Sequence, residues 1–152
     1  MPEITKPVKV PTQTSRQFNL ISAGLAFTLW GGWAWYVNAR TVAEPGRTSP
    51  LISGLTQGVG SFVITLIMVR AVTWLYHRLP AHPSRVVLPA VATVSVTGSC
   101  LTTAHALVGT RSIVQTIAPA LSVAFAFNIF TAVKLGREEA SNESRASEGR
   151  SP

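Results

Sequence analysis

Residues 51–69 read LISGLTQGVGSFVITLIMV. No lysine, arginine, aspartate or glutamate interrupts them, and at 1.5 Å of rise per residue a helix of this length crosses most of a hydrocarbon core about 30 Å thick. Three further runs share that character: 20–38, 86–108 and 113–133. All four are built from Leu, Ile, Val, Ala, Gly, Phe and Trp with scattered Ser and Thr, and His105 is the one readily ionisable side chain inside them. The short link 109–112 forces the last two runs into a hairpin. The expected fold is therefore an all-α integral membrane protein, an antiparallel four-helix transmembrane bundle with disordered termini. Its parts are a leader over 1–19, a membrane domain over 20–135 and a tail over 136–152.

Helix-boundary signals agree with the hydropathy. Thr14 followed by Gln17, and Ser112 followed by Gln115, fit capping boxes. Ser49 before Pro50 reads as an N-cap with proline at the first helical position, where a missing amide proton costs little. Gly109 and Gly136 stand where left-handed turns would end the third and fourth helices. Pro89 belongs to the first turns of span three, whereas Pro119 should bend span four. The first run is too long for the apolar region of a cleaved signal and ends in Trp33, Trp35 and Tyr36, so it reads as a retained span. The leader is broken by Pro2, Pro7 and Pro11, and the tail after Gly136 is a Ser, Glu, Arg and Gly mixture with too little apolar surface to offset ordering entropy.

Of the 152 residues, 47% are hydrophobic and only 12% charged, about half the charged share of a soluble domain. The net charge of +7 would ordinarily suggest nucleic acid, but the basic residues crowd between the spans and report topology instead. Lys6, Lys9, Arg16, Arg70, Arg78, Arg85, Lys134, Arg137, Arg145 and Arg150 fall on one side, and Arg40, Arg47 and Arg111 on the other. Ten against three predicts both termini and the middle loop in the cytoplasm. Trp33, Trp35 and Tyr36 then mark the outer interface and Trp74 and Tyr76 the inner one. Trp30 lies deeper, which points to helix packing or to contact with something inside the bilayer.

Helices associate in lipid through close backbone approach and interhelical hydrogen bonds, so small residues should mark the contacts. Gly54, Gly58, Ser61 and Thr65 share a face of span two, and Gly24, Thr28 and Gly31 a face of span one. Span three offers Ser95, Ser99, Thr102 and Ala106, and span four Ala120, Ala124, Asn128 and Thr131. The expected packing residues are Gly24, Gly31, Gly54, Gly58 and Ser61. Simple helix packing accounts for all four stripes.

His105 is the most informative polar residue, because an ionisable group within a span is a functional candidate. It lies close enough to the end of its span to reach water or bond a neighbouring helix, and a structural role is the simpler account. A polar path, if there is one, would use His105, Ser95, Ser99, Thr102, Gln57 and Asn128. Cys100 reads as a small apolar side chain, and a lone cysteine permits neither an internal disulfide nor a C-x-x-C site. A bis-histidine haem would need a second intramembrane histidine, which His77 and His82 cannot supply from the loop. The chain has no Asp, and its Glu residues, at 3, 44, 138, 139, 143 and 148, lie outside the spans. It is similar in plan to the small multidrug exporters but lacks their membrane-buried glutamate, which removes the basis for carrying over drug-proton exchange. No catalytic residues, metal ligands or cofactor site are expected, and no enzyme.

The runs LWGGWAWYVN from Leu29, SGLTQGVGSFVITLIMVR from Ser53, LPAVATVSVTGSC from Leu88 and TIAPALSVAFAFNIF from Thr116 together resemble uncharacterised small four-span inner-membrane proteins of Gram-negative bacteria. That resemblance implies a bacterial inner-membrane location and a four-span fold, with no activity attached. The functional expectation is a non-enzymatic accessory or assembly partner acting through helix contacts. It would contact the lipid bilayer and a membrane-protein partner or further copies of itself, but no nucleic acid. The alternative is a small oligomeric transporter or lipid-moving protein using the polar face of span three.

Overall fold

A computed structural model describes residues 12–41, 46–80 and 84–148. Among the described residues the regular structure is entirely helical: α1 (Thr12–Arg40), α2 (Pro50–Arg78), α3 (Ser84–Leu107) and α4 (Ile113–Glu148). Each is long and apolar enough to cross a membrane, over Gln17–Arg40, Pro50–Arg78, Ser84–Leu107 and Ile113–Arg145. Residues 12–19, expected in an unstructured leader, are the first turns of α1. Pro2, Pro7 and Pro11 lie outside the described residues.

Two of the local signals close as expected. Ser49 sits at φ −68° and ψ 149°, and its side chain accepts from the Ile52 amide at 3.4 Å, with Pro50 opening α2. Gly109 takes φ 71° after α3; the Thr110 amide then donates to the His105 carbonyl at 2.9 Å and the Gly109 amide to Ala106 at 3.1 Å. That pair of bonds is a Schellman turn, for which the positive φ of glycine is the enabling feature.

Three signals resolve differently. Thr14 is already inside α1, which is helical from Thr12, and so does not cap it. Ser112 does not close its box with Gln115: its amide donates to Asn38 Oδ1 at 3.2 Å, so α1 supplies the cap of α4. Gly136 does not end α4, which runs on to Glu148. A glycine inside a helix costs only about 1 kcal/mol. Here the turn beyond it is held by Glu139, which receives both terminal nitrogens of Arg85 at 3.1 and 3.2 Å, and a Cβ on Gly136 would come within 3.1 Å of the Tyr76 hydroxyl. Residues 137–148, expected to be disordered, are therefore helix.

Pro119 sits inside a continuous α4. Because proline has no amide proton, the carbonyl of Gln115, four residues earlier, loses its helical donor. Trp33 Nε1 of α1 donates to that oxygen at 3.0 Å.

In the α1/α2 contact, Phe27 faces Gly58, Gly31 faces Gly58 and Gly54, and Trp35 faces Gly54. A Cβ on Gly31 would stand 2.9 Å from the Gly54 carbonyl oxygen, and one on Gly54 2.9 Å from the Gly31 carbonyl oxygen, so the two backbones touch where only glycine fits. Gln57 pairs with His105 and Ser53 with Thr110 between α2 and the end of α3, while Thr93 pairs with Asn128 between α3 and α4. Among the described residues, α1 touches α2 and α4 but not α3.

Large polar side chains lie inside and large apolar ones outside. His105, Gln57, Asn38 and Asn128 are among the largest fully buried side chains, while Leu25, Leu29, Val59, Ile67, Val96 and Phe130 point outward. Tyr76, near the end of α2, is buried under the Arg85 guanidinium at 4.1 Å.

Candidate functional site

The residues proposed for a polar path divide into three groups. His105 and Gln57 meet directly, Nε2 to Oε1 at 2.8 Å, and both are buried. Asn128 is buried elsewhere; its Nδ2 donates to Thr93 Oγ1 at 2.8 Å, and its Oδ1 has no partner among the described residues. Ser95, Ser99 and Thr102 are exposed on the outward face of α3, together with Ala106. Helical periodicity placed the stripe on one face but gave no means of telling which face turned inward. The path over the serine and threonine face of α3 is not assembled.

A different set of polar groups is assembled. An amide oxygen only accepts, so His105 Nε2 carries the proton given to Gln57, and Nδ1 accepts from the Thr110 hydroxyl at 2.8 Å. Thr110 Oγ1 accepts in turn from Ser53 at 3.2 Å. At the far end, Gln57 Nε2 donates to Ser61 Oγ at 3.4 Å. The chain runs Ser53, Thr110, His105, Gln57, Ser61 with every bond donated in one direction. It needs no charge, which suits a site where an unpaired ion would be expensive.

A second buried group lies alongside. Asn38 Nδ2 donates to the Ala34 carbonyl at 2.8 Å and to Thr116 Oγ1 at 2.9 Å, while its oxygen takes the Ser112 amide. The sequence reading missed Ser53, Thr110, Asn38 and Thr116 as working partners. Their only advance signal was position: polar residues within a turn of a span end, next to a link short enough to bring those ends together.

Of the expected packing residues, Gly31, Gly54 and Gly58 stand at the α1/α2 contact, and Ser61 is buried one turn further along α2. Gly24 has nothing within 4 Å of an added Cβ.

Beside the polar chain is a cavity of about 300 Å³. All hydrogen bonds between α1 and α4 among the described residues lie at the Asn38 end. Further along, Phe18, Ser22 and Trp30 of α1 face Ala124 and Phe127 of α4 across this space, whose walls include Ser61 and Thr65 of α2. The depth of Trp30 is explained by this wall. No family model, curated protein or solved structure matches the chain.

Proposed function

We propose that the protein is a multi-pass bacterial inner-membrane protein that acts without catalysis, as an accessory or assembly partner through helix contacts. The observation that supports this reading best is the outward face of α3. Ser95, Ser99, Thr102 and Ala106 lie along it exposed, uncovered by any described part of the chain. Small and hydroxyl-bearing residues let a second helix approach closely and offer it hydrogen bonds, whereas lipid gains nothing from them. Gly31, Gly54 and Gly58 are used up in the α1/α2 contact, whereas the small residues of this α3 face are free for one. The bundle is read as antiparallel across the bilayer with both termini in the cytoplasm, on the ten-to-three division of basic residues. This is the plan of the small four-span inner-membrane proteins that the chain resembles.

A photo-reactive amino acid at position 99 tests the proposal in native membranes. It should trap one discrete protein, either a second copy or a different membrane protein. The same residue at Val96, which is 65% exposed on another face, should trap lipid. Thr102→Leu should abolish the protein adduct without lowering thermal stability. Lipid adducts alone at position 99 would defeat the reading. The second reading, a small oligomeric transporter or lipid-moving protein, is favoured by the cavity between α1 and α4.

A further inference from the structure

The directed hydrogen-bond chain ends at the wall of the cavity. Ser61 accepts from Gln57, and its own hydroxyl hydrogen has no acceptor among the described residues. The residue is only 6% exposed, and what it borders is the cavity. A hydroxyl that accepts one bond can still donate one, so Ser61 can offer its hydrogen to an acceptor seated in the cavity. Asn19, Ser22, Thr65 and Thr97 also line the cavity, and the rest of the wall is apolar and aromatic, with Trp30, Phe18, Phe127 and Met68 among it.

Depth decides the class of acceptor. Ser61 lies ten residues into the run that begins at Leu51, about 15 Å along the helix and so near the midplane of a core about 30 Å thick. The ester oxygens of a bilayer lipid stay at the interface, and bringing one to Ser61 would pull a polar headgroup into hydrocarbon. An acceptor that reaches this depth belongs to a molecule dissolved wholly in the bilayer interior. We propose that the cavity binds an uncharged, membrane-soluble carbonyl compound of quinone type, its ring between the aromatic side chains of α1 and α4 and one ring carbonyl accepting from Ser61. The site stands whichever helix α3 contacts, and binding of this kind requires no transport.

The test uses the full chain in phosphatidylcholine nanodiscs and a 1,4-benzoquinone bearing a decyl tail, read by quenching of tryptophan fluorescence. Wild type should show a saturable component above the linear quenching of bilayer-dissolved quinone, and Trp30→Phe should lose most of it. Ser61→Ala should weaken binding by about five- to tenfold, the loss of one hydrogen bond. Ala124→Leu fills the cavity from the opposite wall without touching the polar chain, and it should remove saturable binding even if Ser61→Ala folds poorly. Dodecylbenzene, which has no carbonyl, should not compete. Purely linear quenching in wild type would overturn the site. Equal competition by dodecylbenzene, or unchanged affinity in a folded Ser61→Ala protein, would overturn the role of the carbonyl.

Discussion

The two ends of the bundle are fastened differently. At the α3/α4 turn, Ser53, Thr110, His105 and Gln57 form one buried hydrogen-bonded group without a formal charge and Asn38 and Thr116 another, while Arg111 beside them donates to the Thr41 carbonyl at 3.0 Å. At the other end an ion pair does the work: Arg85 holds Glu139 through both terminal nitrogens, donates Nε to the Tyr76 carbonyl at 2.8 Å, and leaves Glu139 38% exposed. Neutral groups bonded in a closed set can be taken out of water at modest cost, whereas a charge pair keeps most of its value only where some solvent remains. The first device suits groups shut away from water and the second groups that keep contact with it. That contrast predicts a ranking of substitutions.

The largest effect belongs to the backbone contact beneath the neutral end. Gly54→Leu would drive carbon atoms into the Gly31 carbonyl and Trp35 Cβ, at 2.9 and 3.0 Å from the first added atom, and neither can move without separating α1 from α2. A loss of at least ~3 kcal/mol, the top of the usual range for overpacking, is expected as a failure to purify folded protein. Gly24→Leu, with open space around it, should stay within about 0.5 kcal/mol of wild type. Equal tolerance at the two glycines would remove the close contact from the account.

His105→Leu comes next. It leaves the Gln57 oxygen and the Thr110 hydroxyl buried without their partner, at a cost of about 1–3 kcal/mol in detergent unfolding. His105→Gln, which keeps a donor and an acceptor, should recover a substantial part of that loss. If leucine were tolerated as well as glutamine, the polar chain would not be what closes this end.

The span positions were legible because an uncharged run of about 20 residues has few other uses, and Ser49 with Pro50 and Gly109 were legible because capping is a local event. Partners across helices were not. Asn38 read as the last residue of a span, since nothing near it in sequence reveals that Ser112 would arrive beside it. His105 was singled out by its type and Gln57 named with it, but Thr110 was hidden in the link 109–112 and Ser53 among the hydroxyl residues common in spans. Gly136 misled for a related reason: its local preference to stop a helix was outweighed by Arg85, 51 positions earlier in the chain.

The smallest effect is expected at the charged end, and it sharpens the contrast through its dependence on salt. Glu139→Gln keeps an oxygen that can accept from Arg85 but removes the charge, and Arg85 retains its bond to the Tyr76 carbonyl and its stacking on the Tyr76 ring. A pair this exposed is worth about 0–1 kcal/mol, so the melting temperature should fall less than in His105→Leu. Added salt screens the attraction in the wild type, so the gap between wild type and Glu139→Gln should narrow as ionic strength rises. The gap for His105→Leu should not change, because no charge is lost there and the site is shut away from ions. Thermal unfolding of the three proteins in one detergent, at low and high salt, measures both trends. A salt-sensitive loss at His105, or a loss at Glu139 as large and as insensitive to salt as that at His105, would show that the two ends are held by the same kind of force.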